Sequence, residues 1–155
     1  MPRFLTGDLW SAWPTTGLLL VTTNAIVLES GALVMGAGVA RDARDRFPGL
    51  DVALGAAIQA QGRVGQRYGL LVSPGWPEKR IGAFQTKVRP RERSTLDLVQ
   101  YTTHALADWC ARHPTVRVDL PFPGIGNGRL DPDDVRPVLE SMLPETVHVW
   151  SREHG

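Results

Sequence analysis

Two short glycine-rich segments hold the residues whose type and spacing could do chemistry: Met35-Gly36-Ala37-Gly38-Val39-Ala40 and Gly124-Ile125-Gly126-Asn127-Gly128-Arg129. Each stands ahead of a stretch with helical periodicity. Glycine there lets backbone N–H groups approach an anion closely, and the N-terminus of the helix behind adds about half a positive charge. A diphosphate is the natural guest of such a pair. Either loop alone also reads as a turn that is merely rich in glycine, because Gly-x-Gly by itself is a weak signal. The pair carries weight once the fold brings both loops to one rim.

Competing chemistries fit poorly. The chain has no Gly-x-x-x-x-Gly-Lys-Ser/Thr run, and Arg41 occupies the place where a dinucleotide fingerprint wants Gly or Ala. No Gly-x-Ser-x-Gly elbow marks a hydrolase serine. His104, His113, His148 and His154 are isolated, without an i,i+4 pair or a Cys/His cluster, so no built-in metal site and no cofactor are implied. Arg89, Arg91 and Arg93 with Lys87 form a local basic cluster, which reads as a solvated face or as a contact for nucleic-acid phosphates.

The chain has 155 residues, 43% of them apolar, enough for one substantial core, and residues 1–155 are expected to form one domain. Its 17 basic and 16 acidic residues nearly cancel, which disfavours salt-driven binding to a nucleic-acid backbone and favours small-molecule recognition. The lone Cys110 cannot form an internal disulfide, and the start of the chain lacks the basic-then-apolar pattern of a signal peptide, so a cytoplasmic protein is expected. The longest apolar stretch, residues 17–28, is interrupted by Thr22, Thr23 and Asn24 and falls short of the roughly 20 residues a membrane span needs.

The elements that must position the loops follow from periodicity. Residues 3–8 predict a short strand, and 17–23, with Leu18, Leu19, Leu20 and Val21, a strand buried on both faces. Helices are expected over 39–47 and 50–61, separated by Phe47-Pro48-Gly49 and closed by Gly62. Residues 68–72 and 80–87 read as strands joined by a turn, 73–79, that holds Pro74, Gly75 and Pro77. Ser94 is the expected N-cap of a helix whose stripe is Leu96, Val99, Thr103, Leu106 and Cys110. A strand over 116–120, a helix started by Asp131-Pro132 with stripe Val135, Val138, Leu139 and Met142, and a strand over 147–150 complete the order. Strands alternating with helices predict an α/β fold of three α/β/α layers around a mixed, mostly parallel sheet. Ligands in such sheets sit outside the carboxyl ends of the strands, where both glycine loops fall. Trp10 and Trp13 flank the turn after Asp8, where they could shape a pocket, while Trp76 and Trp109 are expected to pack.

In order along nearly the whole chain, these motifs resemble the macrodomain family. Thr6-Gly7-Asp8-Leu9 is similar to its opening Gly-Asp motif, whose Asp accepts from the adenine amino group. Thr22-Thr23-Asn24 ends the buried strand where the family places a polar residue near the distal ribose. Val34-Met35-Gly36-Ala37-Gly38-Val39-Ala40 resembles the first phosphate loop, Pro123-Gly124-Ile125-Gly126-Asn127-Gly128 the second, and Val147-His148-Val149-Trp150 the closing strand, after which an aromatic often stacks on adenine; Trp150 reads either so or as core. The Met-Gly-Ala-Gly form is nearest the branch of terminal ADP-ribose protein glycohydrolase, the DNA ADP-ribosyl glycohydrolase antitoxins and phage-associated macrodomains.

The resemblance implies ADP-ribose, or an ADP-ribosylated macromolecule, as partner and no membrane. The site it implies comprises Asp8, Leu9, Asn24, Met35, Gly36, Ala37, Gly38, Val39, Gly124, Ile125, Gly126, Asn127, Gly128, Arg129 and Trp150. It also nominates Lys87, through Gln85-Thr86-Lys87, as the nucleophile on the anomeric carbon, which requires an amine made partly neutral by burial or a nearby cation. Lys87 equally reads as a solvated strand-end lysine. The glycohydrolases carry an Asp directly after the second loop, where this chain has Arg129-Leu130, and Asp131 before Pro132 fits an N-cap. Hydrolysis of ADP-ribosyl linkages and binding without chemistry both stay open.

Overall fold

Alternation in one strand explains the whole layering. Along β2 (Leu18–Thr23), Leu19 and Val21 join one apolar cluster while Leu18 and Leu20 join another on the opposite face. The first cluster is completed by Leu50, Leu54 and Ile58 of α2 (Leu50–Gln61) and Ala40 and Ala43 of α1 (Gly38–Arg46). The second takes Val99 and Leu106 of α3 (Leu96–Arg112) and Val135 and Leu139 of α4 (Pro132–Met142). The result is the expected three-layer α/β/α arrangement. The computed structural model describes residues 1–72 and 79–152. Most of the turn expected at 73–79, with Trp76, and His154 lie outside the described residues.

Besides β2, the sheet contains β1 (Arg3–Thr6), β3 (Leu70–Leu71), β4 (Ile81–Gln85), β5 (Val118–Pro121) and β6 (Val147–Ser151), in the spatial order β1-β6-β5-β2-β4-β3. All neighbours are parallel except β3 and β4, so the sheet is mixed and mostly parallel. Parallel neighbours need crossovers, which the four helices among the described residues supply. Among the described residues no helix is long and apolar enough to cross a membrane.

Three local differences from expectation have physical causes. The strand over 68–72 shrinks to two residues, because the N–H groups of Tyr68 and Gly69 donate to the Gln85 side chain, and Gly69 has φ +73°. The strand over 80–87 closes at Gln85, which pairs with Thr23, the last residue of β2. The cap of α3 is Thr95, whose hydroxyl accepts from Leu98 N–H at 3.2 Å, while Ser94 is pinned one residue earlier by its N–H bond to the Gly128 carbonyl at 3.0 Å. Asp131 caps α4 as expected, accepting from Asp133 N–H at 2.9 Å with Pro132 next.

Candidate ligand-binding cleft

A cleft of about 890 Å³ opens beyond the carboxyl ends of β2, β4, β5 and β6. Of the residues nominated from sequence, it gathers Asn24, Gly38, Val39, Lys87, Gly124, Ile125, Gly126, Asn127, Gly128 and Trp150. Asp8 instead lines an adjoining cavity with Trp10 and α1. Leu9 and Met35 bury their side chains in the core, so any part they take in binding is through the main chain. Gly36 and Ala37 are exposed ahead of α1, and Arg129 is exposed just past the second loop.

The two glycine loops meet across this cleft. Neither α1 nor the 3-10 turn Gly126–Gly128 has a side-chain cap, which leaves their first N–H groups for another acceptor. Gly38 starts α1 with φ +59°, and a Cβ built on it would stand 3.7 Å from Asn127 Nδ2 of the opposite loop. Gly128 is constrained differently: a Cβ there would overlap Ser94 Oγ and come within 2.9 Å of Ser94 Cβ. Gly128→Ala should therefore displace the second loop and cost about 1–3 kcal/mol. In thermal unfolding the cost should vanish in a Ser94→Gly background, a coupling a double-mutant cycle reads directly; equal costs in both backgrounds would mean that Ser94 does not set this fit.

Behind the loops lies a buried polar scaffold that holds the cleft floor. Gln85, fully buried, accepts through Oε1 from Tyr68 N–H and Gly69 N–H at 2.9 and 3.0 Å. Its Nε2 donates to the carbonyls of Gln66 and Lys87 at 3.0 and 3.2 Å, and its own carbonyl accepts from the Thr102 hydroxyl at 2.7 Å. The main chain at Lys87 is thus fixed from inside. The Tyr68 hydroxyl, whose pKa burial pushes up, donates to the Asn24 carbonyl and is joined to Thr23 Oγ1 at 2.5 Å. The Asn24 side chain braces the first loop, donating to the Val34 carbonyl at 2.9 Å and accepting from Ile26 N–H at 3.0 Å.

Electrostatics favour the neutral form of the Lys87 amine more than in a free lysine. Burial of its side chain lowers the pKa from the ordinary lysine value, and the Arg129 guanidinium lowers it further. No carboxylate is among the described residues that line the cleft. Trp150 closes the opposite side with its indole N–H tied to Asp119 Oδ1 at 2.9 Å. Asp119 is itself completely buried and held by Arg117 through two bonds of 3.0 and 3.1 Å.

Gln85, Asp119 and Ser94 were not nominated as site residues from sequence. The first two carry a legible signal, a polar side chain inside a largely apolar, buried strand. Trp10 and Trp13 pack with Phe47, Trp10 also lining the adjoining cavity, and Trp109 stacks on His113 at 4.1 Å.

Two uncapped glycine loops face each other across the carboxyl edge of a doubly covered sheet, which places the cleft in an α/β fold. No family sequence model and no curated protein sequence matches the chain. Solved structures do. The chain is similar to the macrodomain of Thermus aquaticus DarG, with 31% identity over 99% of both chains and a TM-score of 0.74. The macrodomain of Mycobacterium tuberculosis DarG shares 24% identity over 99% of both chains, with a TM-score of 0.71. Thermosipho africanus DarTG, solved in complex with ADP-ribose, shares the fold at 19% identity and a TM-score of 0.73, over 97% of this chain and 42% of that one. The chain belongs to the macrodomain family.

Proposed function

We propose that this macrodomain binds ADP-ribose in the cleft and releases it from an ADP-ribosylated macromolecule, with Lys87 as the nucleophile. The observation that carries the chemistry is a lysine on the cleft wall, main chain anchored by Gln85 and pKa lowered by burial and Arg129. Binding is supported by the facing glycine loops and by the ADP-ribose complex of the Thermosipho africanus relative.

The diphosphate lies between Gly38 and the Gly124–Gly128 backbone, where the open N–H groups are. The adenosine end extends toward Asp8, and the distal ribose toward Asn24 and Lys87. The neutral Lys87 amine attacks the anomeric carbon; the bond from that carbon to the target breaks, and its electron pair leaves with the target, which takes up a proton. Water then hydrolyses the lysine adduct, freeing ADP-ribose and restoring the amine. Direct hydrolysis by a water that Asn24 and the loops orient is less well supported, because the Asn24 amide braces Val34 and Ile26.

Release of ADP-ribose from modified DNA or modified protein tests this reading, and the two substrates separate a nucleic-acid target from a protein one. A basic segment beside Lys87 favours nucleic acid, although Arg89 is already paired with Glu92 at 2.9 Å. A second reading, a binding module without chemistry, is favoured by the absence of a carboxylate among the described cleft residues and by the capping role of Asp131. It predicts tight ADP-ribose binding with no release from either substrate.

A further inference from the structure

Beside the cleft lies a second cavity of about 820 Å³, between the turn after β1 and α1, lined by Asp8, Trp10, Asp42, Asp45 and Arg46 among others. Arg152 is the residue it shares with the main cleft among those described. Charge divides the two spaces. The main cleft carries no carboxylate among its described residues, whereas Asp8, Asp42 and Asp45 all face the second cavity. With Arg46 and Arg152 beside its three carboxylates the second cavity offers a phosphate no uniformly positive surface, while its carboxylates suit an uncharged heterocycle with N–H donors.

Trp10 forms part of the wall of the second cavity, with its indole N–H buried beneath that surface. Asp8 supplies an acceptor, one of its oxygens already bonded to Trp10 N–H at 3.0 Å. Arg46 lies over the Trp10 ring, 4.4 Å from its centre. Arg152 stands at the junction, its Nη2 3.8 Å from Asp42 Oδ2, with side-chain exposures of 79% and 44%. An ion pair so open to water contributes little and is easily exchanged.

Building on the ADP-ribose reading of the cleft, we propose that Arg152 is a specificity-determining residue that leaves Asp42 on binding and lays its guanidinium plane over the base seated in the second cavity. The planar, weakly hydrated guanidinium suits a purine face as an ammonium does not. Asp42 then acts as a competitor that holds Arg152 in the empty protein.

Calorimetric titration of the parent chain and four variants, one of them double, with ADP-ribose tests this. Arg152→Ala should weaken binding about tenfold, and Arg152→Lys nearly as much, because it keeps the charge and loses the plane. Asp42→Asn should tighten binding severalfold, and should have no effect once Arg152 is Ala. Binding by the parent with Arg152→Ala within twofold of it overturns the assignment of Arg152 alone. Full rescue by Arg152→Lys, or weakening by Asp42→Asn, does the same, pointing to a phosphate contact or a structural strap. No binding by the parent overturns the ADP-ribose reading and this proposal together.

Discussion

Lys87→Ala is expected to bind ADP-ribose as the parent does and to lose release of ADP-ribose from modified substrate by on the order of 10²–10⁴-fold, the range one positioned group contributes. The separation follows from position. In the proposed pose the diphosphate is taken by backbone N–H groups of the two loops, and Lys87 stands on the β4 side of the cleft. Single-turnover release and a parallel titration read the two effects independently; unchanged release would clear Lys87 of a covalent role. In the parent, release should rise with pH as Lys87 loses its proton, with a midpoint below that of an ordinary lysine. Removing the nearby positive charge in Arg129→Gln should move that midpoint upward, though not the whole way, because burial is the larger cause.

The sign of the linked stability effect guards against misreading a folding defect. A lysine whose pKa is depressed by folding carries a cost below its folded pKa, and the cost fades as pH rises through that value. Lys87→Met keeps the apolar stem and removes the charge, so it should unfold no earlier than the parent.

Gly38→Val is expected to lower affinity for ADP-ribose by about 100-fold or more. Gly38 has φ +59°, a backbone conformation that a β-branched residue avoids, and it opens α1 opposite Asn127. A side chain there holds the diphosphate away from the helix N-terminus; two lost hydrogen bonds to a charged group, about 1.5–3 kcal/mol each, account for the fall. Backbone strain of about 1–2 kcal/mol should also lower the melting temperature by a few degrees. Retained affinity would mean that the first loop does not receive the ligand.

The loops, the order of elements along the chain and the layering were legible because each rests on local chemistry: glycine before a helix, the continuous apolar run of β2, and Asp131-Pro132 at a helix start. The candidate cleft was legible as far as its backbone. Asn24, Gly38, Lys87 and the second loop converge because a parallel sheet delivers all its strand ends to one edge. What the sequence did not disclose depends on side chains from distant segments meeting. Gln85 binds Tyr68, Gly69, Gln66, Lys87 and Thr102, and no spacing announces that set. The shift of the α3 cap from Ser94 to Thr95 depends on a backbone bond to Gly128 on another loop. The division between a carboxylate-free cleft and an acidic neighbour is likewise a property of the folded surface. That division supports the order proposed for the base, the diphosphate and the distal ribose along the groove.

The central claim, that this cleft receives ADP-ribose, is tested most directly by calorimetric titration of the intact chain with ADP-ribose. The account predicts saturable binding of one ligand per chain, abolished or greatly weakened by Gly38→Val. No heat of binding up to millimolar ligand would contradict it.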